Sequence, residues 1–340
     1  LKDISSESLM LGKRFIEEDR ITISLKENIN EKLYIEVELL KEDRQARTVI
    51  QKEHTLFSLV EKDHQILFQE KIREENEEIE EDRLELNLEK VFRFAMDSPL
   101  EDIRFILESA RLNKAAALDA FQNNYGHALG KTLTAGNYHS IMGNSLLAKV
   151  LSYTSAACDA RMAGSLVPVM TNSGSGNQGI TATLPVVIYA EETGVSEESL
   201  IRALTLSHLV VIYIKEGLGR LSALCGCVVA STGSACGITY LMGGDYKEVS
   251  YAVKNMVANL AGVICDGAKP SCALKVSSSV STAVFSAMMA MEGKFVTSIE
   301  GIIDEDVDQS IRNLTQIGSL GMNETDRMIL DIMTGKSPKA

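Results

Sequence analysis

The sequence predicts an α+β fold: a small antiparallel-sheet α/β domain over residues 1–86, followed by a large, mostly all-α helical domain over residues 87–340. Three observations carry this. Residues 20–68 alternate polar and apolar in strand fashion, apolar residues recur at helical spacing from residue 87 onward, and an acid-rich run separates the two patterns. Hydrophobic residues make up 45% of the chain, aromatics only 5%, and Trp is absent. The core must then be built from Ala, Val, Ile, Leu, Met and Gly, which suits close helix packing and argues against an all-β sandwich.

In the first domain a helix with Ser5 near its cap runs to Glu17. Arg20 to Lys26 (RITISLK) alternates as a strand, Asn28-Ile29-Asn30 supplies a turn, and Leu33 to Leu39 is a second strand. Arg47 to Gln51 follows, and then a hairpin of Leu56 to Val60 and Ile66 to Phe68 around Lys62-Asp63-His64. The run Glu74, Glu75, Glu77, Glu78, Glu80, Glu81 and Asp82 repels itself and reads as a solvated linker or exposed helix, with metal binding the less favoured alternative.

The second domain opens at Ser98-Pro99-Leu100-Glu101, with Ser as cap, Pro at the first helical position and Glu three residues after the cap. Ser196-Glu197-Glu198 starts a helix carrying Leu200, Ile201, Leu204, Leu206 and Leu209. Further helices fit about 143–162, 179–192, 220–242, 246–264, 277–292, 304–318 and 323–334. Leu221 to Gly244 carries no charge, but it is crowded with Ser, Gly, Ala, Thr and Cys and lacks aromatic anchors. It reads as a buried central helix rather than a membrane span.

The formal net charge is −13, from 47 acidic and 34 basic residues, with no basic run. Such a surface repels phosphate backbones, which argues against nucleic-acid binding. No export signal is visible, so a cytoplasmic protein without a membrane partner is expected. Small-residue helices such as 220–242 suit subunit packing, and a homo-oligomer is a further expectation.

All six cysteines, at 158, 225, 227, 236, 265 and 272, lie in the second domain. In a chain without secretion signals they point to thiols or metal ligands rather than a disulfide framework. If 220–242 is one helix, Cys225 and Cys227 point about 200° apart, and Cys225 and Cys236 lie about 16 Å apart along the axis. A compact site must then take one of them and recruit from elsewhere. Cys265-Asp266-Gly267-Ala268-Lys269-Pro270-Ser271-Cys272 is the natural source, because Gly267 and Pro270 break the chain there. Three thiolates from one helix and one loop would hold a four-iron cluster with one iron open. Composition alone leaves the alternative of small buried apolar thiols.

Two segments, Asp159-Ala160-Arg161-Met162-Ala163-Gly164 and Thr171-Asn172-Ser173-Gly174-Ser175-Gly176-Asn177-Gln178-Gly179-Ile180, resemble the signature of the L-cysteine desulfidase family, a relative of the iron–sulfur L-serine dehydratases. Arg220 to Cys225 and Ile264 to Val276 extend the resemblance, which runs from about residue 98 to the end and continues more weakly through residues 1–70. It implies a lyase that releases sulfide, ammonia and pyruvate from L-cysteine without pyridoxal phosphate. It also implies a [4Fe-4S] cluster on Cys225, Cys265 and Cys272 that acts as a Lewis acid. Members of that family carry an N-terminal Cys-Thr-Glu-Pro segment, which is not found after Leu1, so the resemblance implies a truncated chain without activity. The final residues lack the terminal cysteine of serine dehydratases, which favours the desulfidase branch.

The loop from Asn172 to Gly179 is the candidate grip for an amino-acid carboxylate, because its glycines expose backbone N–H groups and it opens into a helix N-terminus. Asn172, Ser173, Ser175, Asn177 and Gln178 add side-chain donors. For the base that takes the α-proton the chain offers His208 and Lys275. An L-serine dehydratase using the same cluster, and a cluster-free ligand-binding fragment, are the competing expectations.

Overall fold

The computed structural model describes residues 4–29, 31, 33–53, 55–70, 85–219 and 221–336. They fall into two compact units, one of Leu86–Leu330 and one of Ile4–Glu85 with the segment from Asp331 onward. A small four-stranded antiparallel sheet is followed by a mostly helical region, as the periodicities predicted. The acid-rich run at 74–82 lies outside the described residues.

The first unit of chain begins with α1 (Ser6–Glu17), whose cap is Ser5 accepting from the Ser8 amide at 3.1 Å. The sheet follows in order as β1 (Tyr34–Lys41), β2 (Arg44–Gln51), β3 (Phe57–Lys62) and β4 (Gln65–Gln69), each strand paired with the next. Asp63 and His64 both take positive φ, 49° and 66°, in the two-residue turn between β3 and β4, the left-handed pair that matches strand twist. Residues 20–26 form no strand despite their alternation. All are exposed and make no ladder bonds, and alternation without a pairing edge does not make a strand. Glu36 is the hub of this sheet's charges: Lys26, Tyr34 and Arg47 all bond it, and the Lys26 bond foremost holds its carboxyl down at about 2.

The helical unit comprises α2 (Leu88–Asp97), α3 (Leu100–Ile103), α4 (Leu107–Gln122), α5 (Leu129–Thr134), α6 (His139–Met142), α7 (Leu146–Met162), α8 (Gly176–Thr193), α9 (Glu197–Leu218), α10 (Gly226–Leu241), α11 (Tyr246–Leu260), α12 (Cys272–Met291) and α13 (Val307–Gln316). A wider turn, Ile317–Gly321, leads to α14 (Asn323–Thr334). Ser98 closes α2 instead of capping a new helix, and Pro99 precedes a single turn that tightens before α4. The Ser196 cap of α9 is formed as predicted, accepting from the Ser199 amide at 3.1 Å.

Helix α10 runs through the centre, packed by α8, α9, α11 and α12, and every residue from Cys227 to Thr239 is buried. Its contact with α9 depends on Gly233, where a Cβ would stand 2.3 Å from the Ser207 carbonyl oxygen. The uncharged stretch is therefore a core helix, but it begins at Gly226 rather than near 220. The preceding residues are drawn out by a bridge between Leu224 and Ile264, which takes their backbone bonds away from any helix. Helix α12 starts five residues earlier than periodicity indicated, with Cys272 as its first residue. Among the described residues it alone is long and apolar enough to cross a membrane, and 44% of its apolar window is buried inside the protein.

Candidate functional site

The loop before α8 is pinched by two backbone bonds between Asn172 and Ser175, at 3.1 and 3.0 Å. Ser173 and Gly174 turn the chain between them at φ 48° and 81°. Ser175 then caps α8, its hydroxyl accepting from the Gln178 amide at 3.5 Å. Gly179 is required by space, since a Cβ there would lie 2.0 Å from the Met170 carbonyl oxygen.

His208, on α9, anchors this loop from below. Asn172 donates both amide hydrogens to it, one to Nδ1 and one to its backbone carbonyl, each at 3.1 Å. Because Nδ1 accepts, the ring proton sits on Nε2, which donates to Thr183 Oγ1 at 3.0 Å. Thr183 passes its own proton to the Gly179 carbonyl at 2.7 Å and accepts from Asn113, whose other amide end takes the Met170 N–H at 2.9 Å. Burial lowers the His208 pKa from 6.5 to about 4, so the ring is neutral. Ser173 completes the knot by donating to Asn172 Oδ1 at 2.8 Å.

Backbone pairing joins the two cysteine-bearing segments. Cys225 N–H donates to the Val263 carbonyl at 2.9 Å, and Cys265 N–H donates to the Ala223 carbonyl at 2.6 Å, on either side of the Leu224–Ile264 bridge. Cys225, the residue capping α10, thus lies opposite Val263, with Cys265 diagonal to it across the bridge. The neighbouring Cys227 thiol lowers the Cys225 pKa, aided by the Cys227 and Val228 backbone N–H groups and by Lys275, and opposed by burial. The opposed geometry expected of one continuous helix does not hold, because Cys225 stands outside the first turn of α10. Burial raises the Cys265 thiol, with Cys225 and Cys272 adding to it. Cys272 Sγ accepts from the Lys269 N–H at 3.5 Å and lies 3.6 Å from the Gly267 carbonyl.

Five thiols, Cys158, Cys225, Cys227, Cys265 and Cys272, share one buried cluster, whereas Cys236 belongs to another. Cys158 is pushed up by burial first and then by Cys272, Asp159 and Cys225. Among the described residues no three His, Cys, Asp or Glu side chains are spaced to hold a single metal ion. The loop before α12 is fastened by charge: Asp266 pairs with Lys269 at 2.5 Å and with Lys275, and Lys275 also donates to the Ile264 carbonyl at 2.7 Å. Burial works against the Lys275 charge, but its bond to Asp266 outweighs this and its pKa is raised.

The two loops meet at the start of α10. Gly226 stands where a Cβ would come 2.8 Å from Gln178 Nε2, so the Gln178 amide packs on the residue that follows Cys225. Three helix N-termini, those of α8, α10 and α12, therefore deliver Gln178, Cys225 and Cys272, and each brings the positive end of its dipole. Sequence reasoning did not single out Asn113, Thr183, Asp159 or Arg161. Arg161 and Asp159 lie inside a quoted motif, and the other two have no local signal.

A sequence profile for the family described as serine dehydratase alpha chain matches residues 30–331. The chain belongs to that family. Its relatives include UPF0597 proteins of Bacteroides fragilis and Bacteroides thetaiotaomicron, each 66% identical over 336 residues, which is 99% of this chain and 78% of each relative. A UPF0597 protein of Phocaeicola vulgatus is 62% identical over 338 residues, again covering 99% and 78%. As a serine dehydratase alpha-chain relative, the chain carries its loops and thiols well inside the matched span.

Proposed function

We propose that this protein is a lyase that removes the β-substituent and the ammonia of a small L-amino acid, with L-cysteine as substrate and sulfide, ammonia and pyruvate as products. The observation that carries the reading is the junction at α10: Cys225, on a segment bridged by backbone to the one that bears Cys265, stands next to the residue on which the Gln178 amide of the anion-binding loop packs. The family is generally associated with iron–sulfur clusters. Cys225, Cys265 and Cys272 fit as holders of a [4Fe-4S] cluster, since thiolates are its donors and these three lie in one buried cluster of side chains. The absence of single-ion spacing does not count against this, because four irons reach wider than one. When bound, the cluster supplies a Lewis-acidic iron to the departing β-substituent.

The chain's own residues hold and orient the substrate. Backbone N–H groups at the start of α8 receive the α-carboxylate. His208, engaged at both ring nitrogens, has no free lone pair for the α-proton and instead positions Asn172. Lys275, paired with Asp266, steadies the cysteine loop in the same way. Both contenders for the base thereby become positioning residues in this reading. The α-proton then passes to a base other than these two as the β-substituent departs, and the resulting aminoacrylate tautomerises and takes up water to give pyruvate and ammonia.

The family description favours a second substrate, L-serine, whose β-hydroxyl would leave as water from the same site. Anaerobically prepared protein, checked for iron and for brown absorbance, should release sulfide with pyruvate from L-cysteine faster than pyruvate from L-serine. The reverse preference would establish the second reading, and iron-loaded protein that turns over neither would end both.

A further inference from the structure

Arg161 sits in the last turn of α7, in the Asp159-to-Gly164 motif to which the elimination reading gives no task. Its Nη1 donates to Asn177 Oδ1 at 3.1 Å and approaches Met162 Sδ at 3.9 Å. Among the described residues no carboxylate forms an ion pair with it, in a chain where acids outnumber bases 47 to 34. The other cations at the site, Lys269 and Lys275, are both taken up by Asp266.

The guanidinium also has a built seat. Gly176 is the first residue of α8, and a Cβ there would lie 2.1 Å from Arg161 Nε and 2.7 Å from its Cδ. Only glycine lets the side chain rest on the opening turn of that helix. Nearby, Gln178 is 6% exposed and its Oε1 is enclosed with no donor in the protein, an acceptor that an ammonium group would satisfy.

We propose that Arg161 holds the substrate's α-carboxylate, its planar fork working together with the backbone N–H groups of α8. The proposal rests on the elimination reading and adds the group that makes the site selective for α-amino acids with a free carboxylate. A guanidinium and a carboxylate match as two parallel N–H to O bonds, which a lone helix N-terminus does not provide. Asn177 fixes the fork from one side, leaving the other edge for the ligand.

The test uses two unreactive probes, L-alanine and L-alaninamide, the second lacking the carboxylate, with binding read by calorimetry. Wild-type protein should favour L-alanine by about tenfold or more. Arg161→Gln should weaken L-alanine by about 10- to 100-fold, leave L-alaninamide unchanged, and raise KM in the elimination assay more than it lowers kcat. Arg161→Lys should recover part of the loss, because it keeps the charge without the fork. Asn177→Ala removes the orienting bond but not the cation, and should cost less than Arg161→Gln. Unchanged L-alanine binding in Arg161→Gln overturns the proposal, as does a loss that strikes both probes and is matched by Asn177→Ala, which would mark a loop-positioning role. Wild-type protein that eliminates but does not distinguish the probes removes Arg161 while sparing the elimination reading. Wild-type protein that neither eliminates nor binds L-alanine removes the reading and this proposal together.

Discussion

The loops at 171–179 and 264–272 do the same mechanical job by opposite means. Each delivers the chain to the N-terminus of a long helix, α8 or α12, and each faces the start of α10. The first is held by neutral hydrogen bonds that end on a buried histidine, while the second is held by a carboxylate clamped between two lysines and by a strand-like bridge. Neutral buried bonds are insensitive to salt but fail when the histidine is forced to take a proton. Partly exposed ion pairs are screened by salt and contribute little each. The loop with five polar side chains thus depends on burial, and the loop with the cysteines depends on charge and backbone pairing.

The largest effect should come from the thiols where the two loops meet. Ala at Cys225, Cys265 or Cys272 should remove most bound iron and reduce product formation by about two orders of magnitude or more, measured by iron analysis and pyruvate release. A variant that keeps both iron and activity would take its cysteine out of the set. Next is the protonation of His208. The unfolded side chain binds a proton below about 6.5, and the folded ring only near 4. The unfolded state therefore carries more protons between these values, and stability falls as pH drops through that window, by up to about 3 kcal/mol. His208→Gln should flatten this part of the profile in denaturant titrations, and an unchanged slope would contradict the neutral knot described above.

Gly179→Ala tests the neutral loop sterically. The new methyl meets the Met170 carbonyl, and a loss of about 1–3 kcal/mol is expected in thermal unfolding. The smallest effect belongs to the charged loop. Asp266, 41% exposed at its side chain, is held low at about 2 by its bond to Lys269 and then by Lys275. Its contribution is present above the unfolded carboxyl pKa and is lost as pH falls through the folded value. Asp266→Asn should cost under about 1 kcal/mol at low salt and almost nothing at high salt. A loss that salt does not touch would show that the two loops are held alike.

Local signals were legible where their chemistry is local. Ser5 and Ser196 cap the helices they precede, and Asp63-His64 turns the hairpin, because these bonds span three or four residues. Arg20 to Lys26 misled because a strand exists only with a partner, and alternation cannot supply one. The start of α10 misled for a related reason: the uncharged run is uniform in composition, yet Leu224 is claimed by Ile264, forty positions away. Cys158, Cys225, Cys227 and Cys272 share one buried core with Cys265 packed against it, a placement set by contacts between distant segments that no local pattern carries.

The sequence by itself determined the order of a small sheet and a helical region, most of the elements and the motifs that mark the family, since periodicity, caps and turn residues act over one or two turns of chain. Tertiary structure alone decided which thiols share a core, that the His208 ring has both nitrogens spent, and that Arg161 rests on Gly176 with no carboxylate paired to it among the described residues. Those outcomes depend on burial and on contacts between distant segments, whose strength comes from the exclusion of water, a condition that no short stretch of residues creates alone.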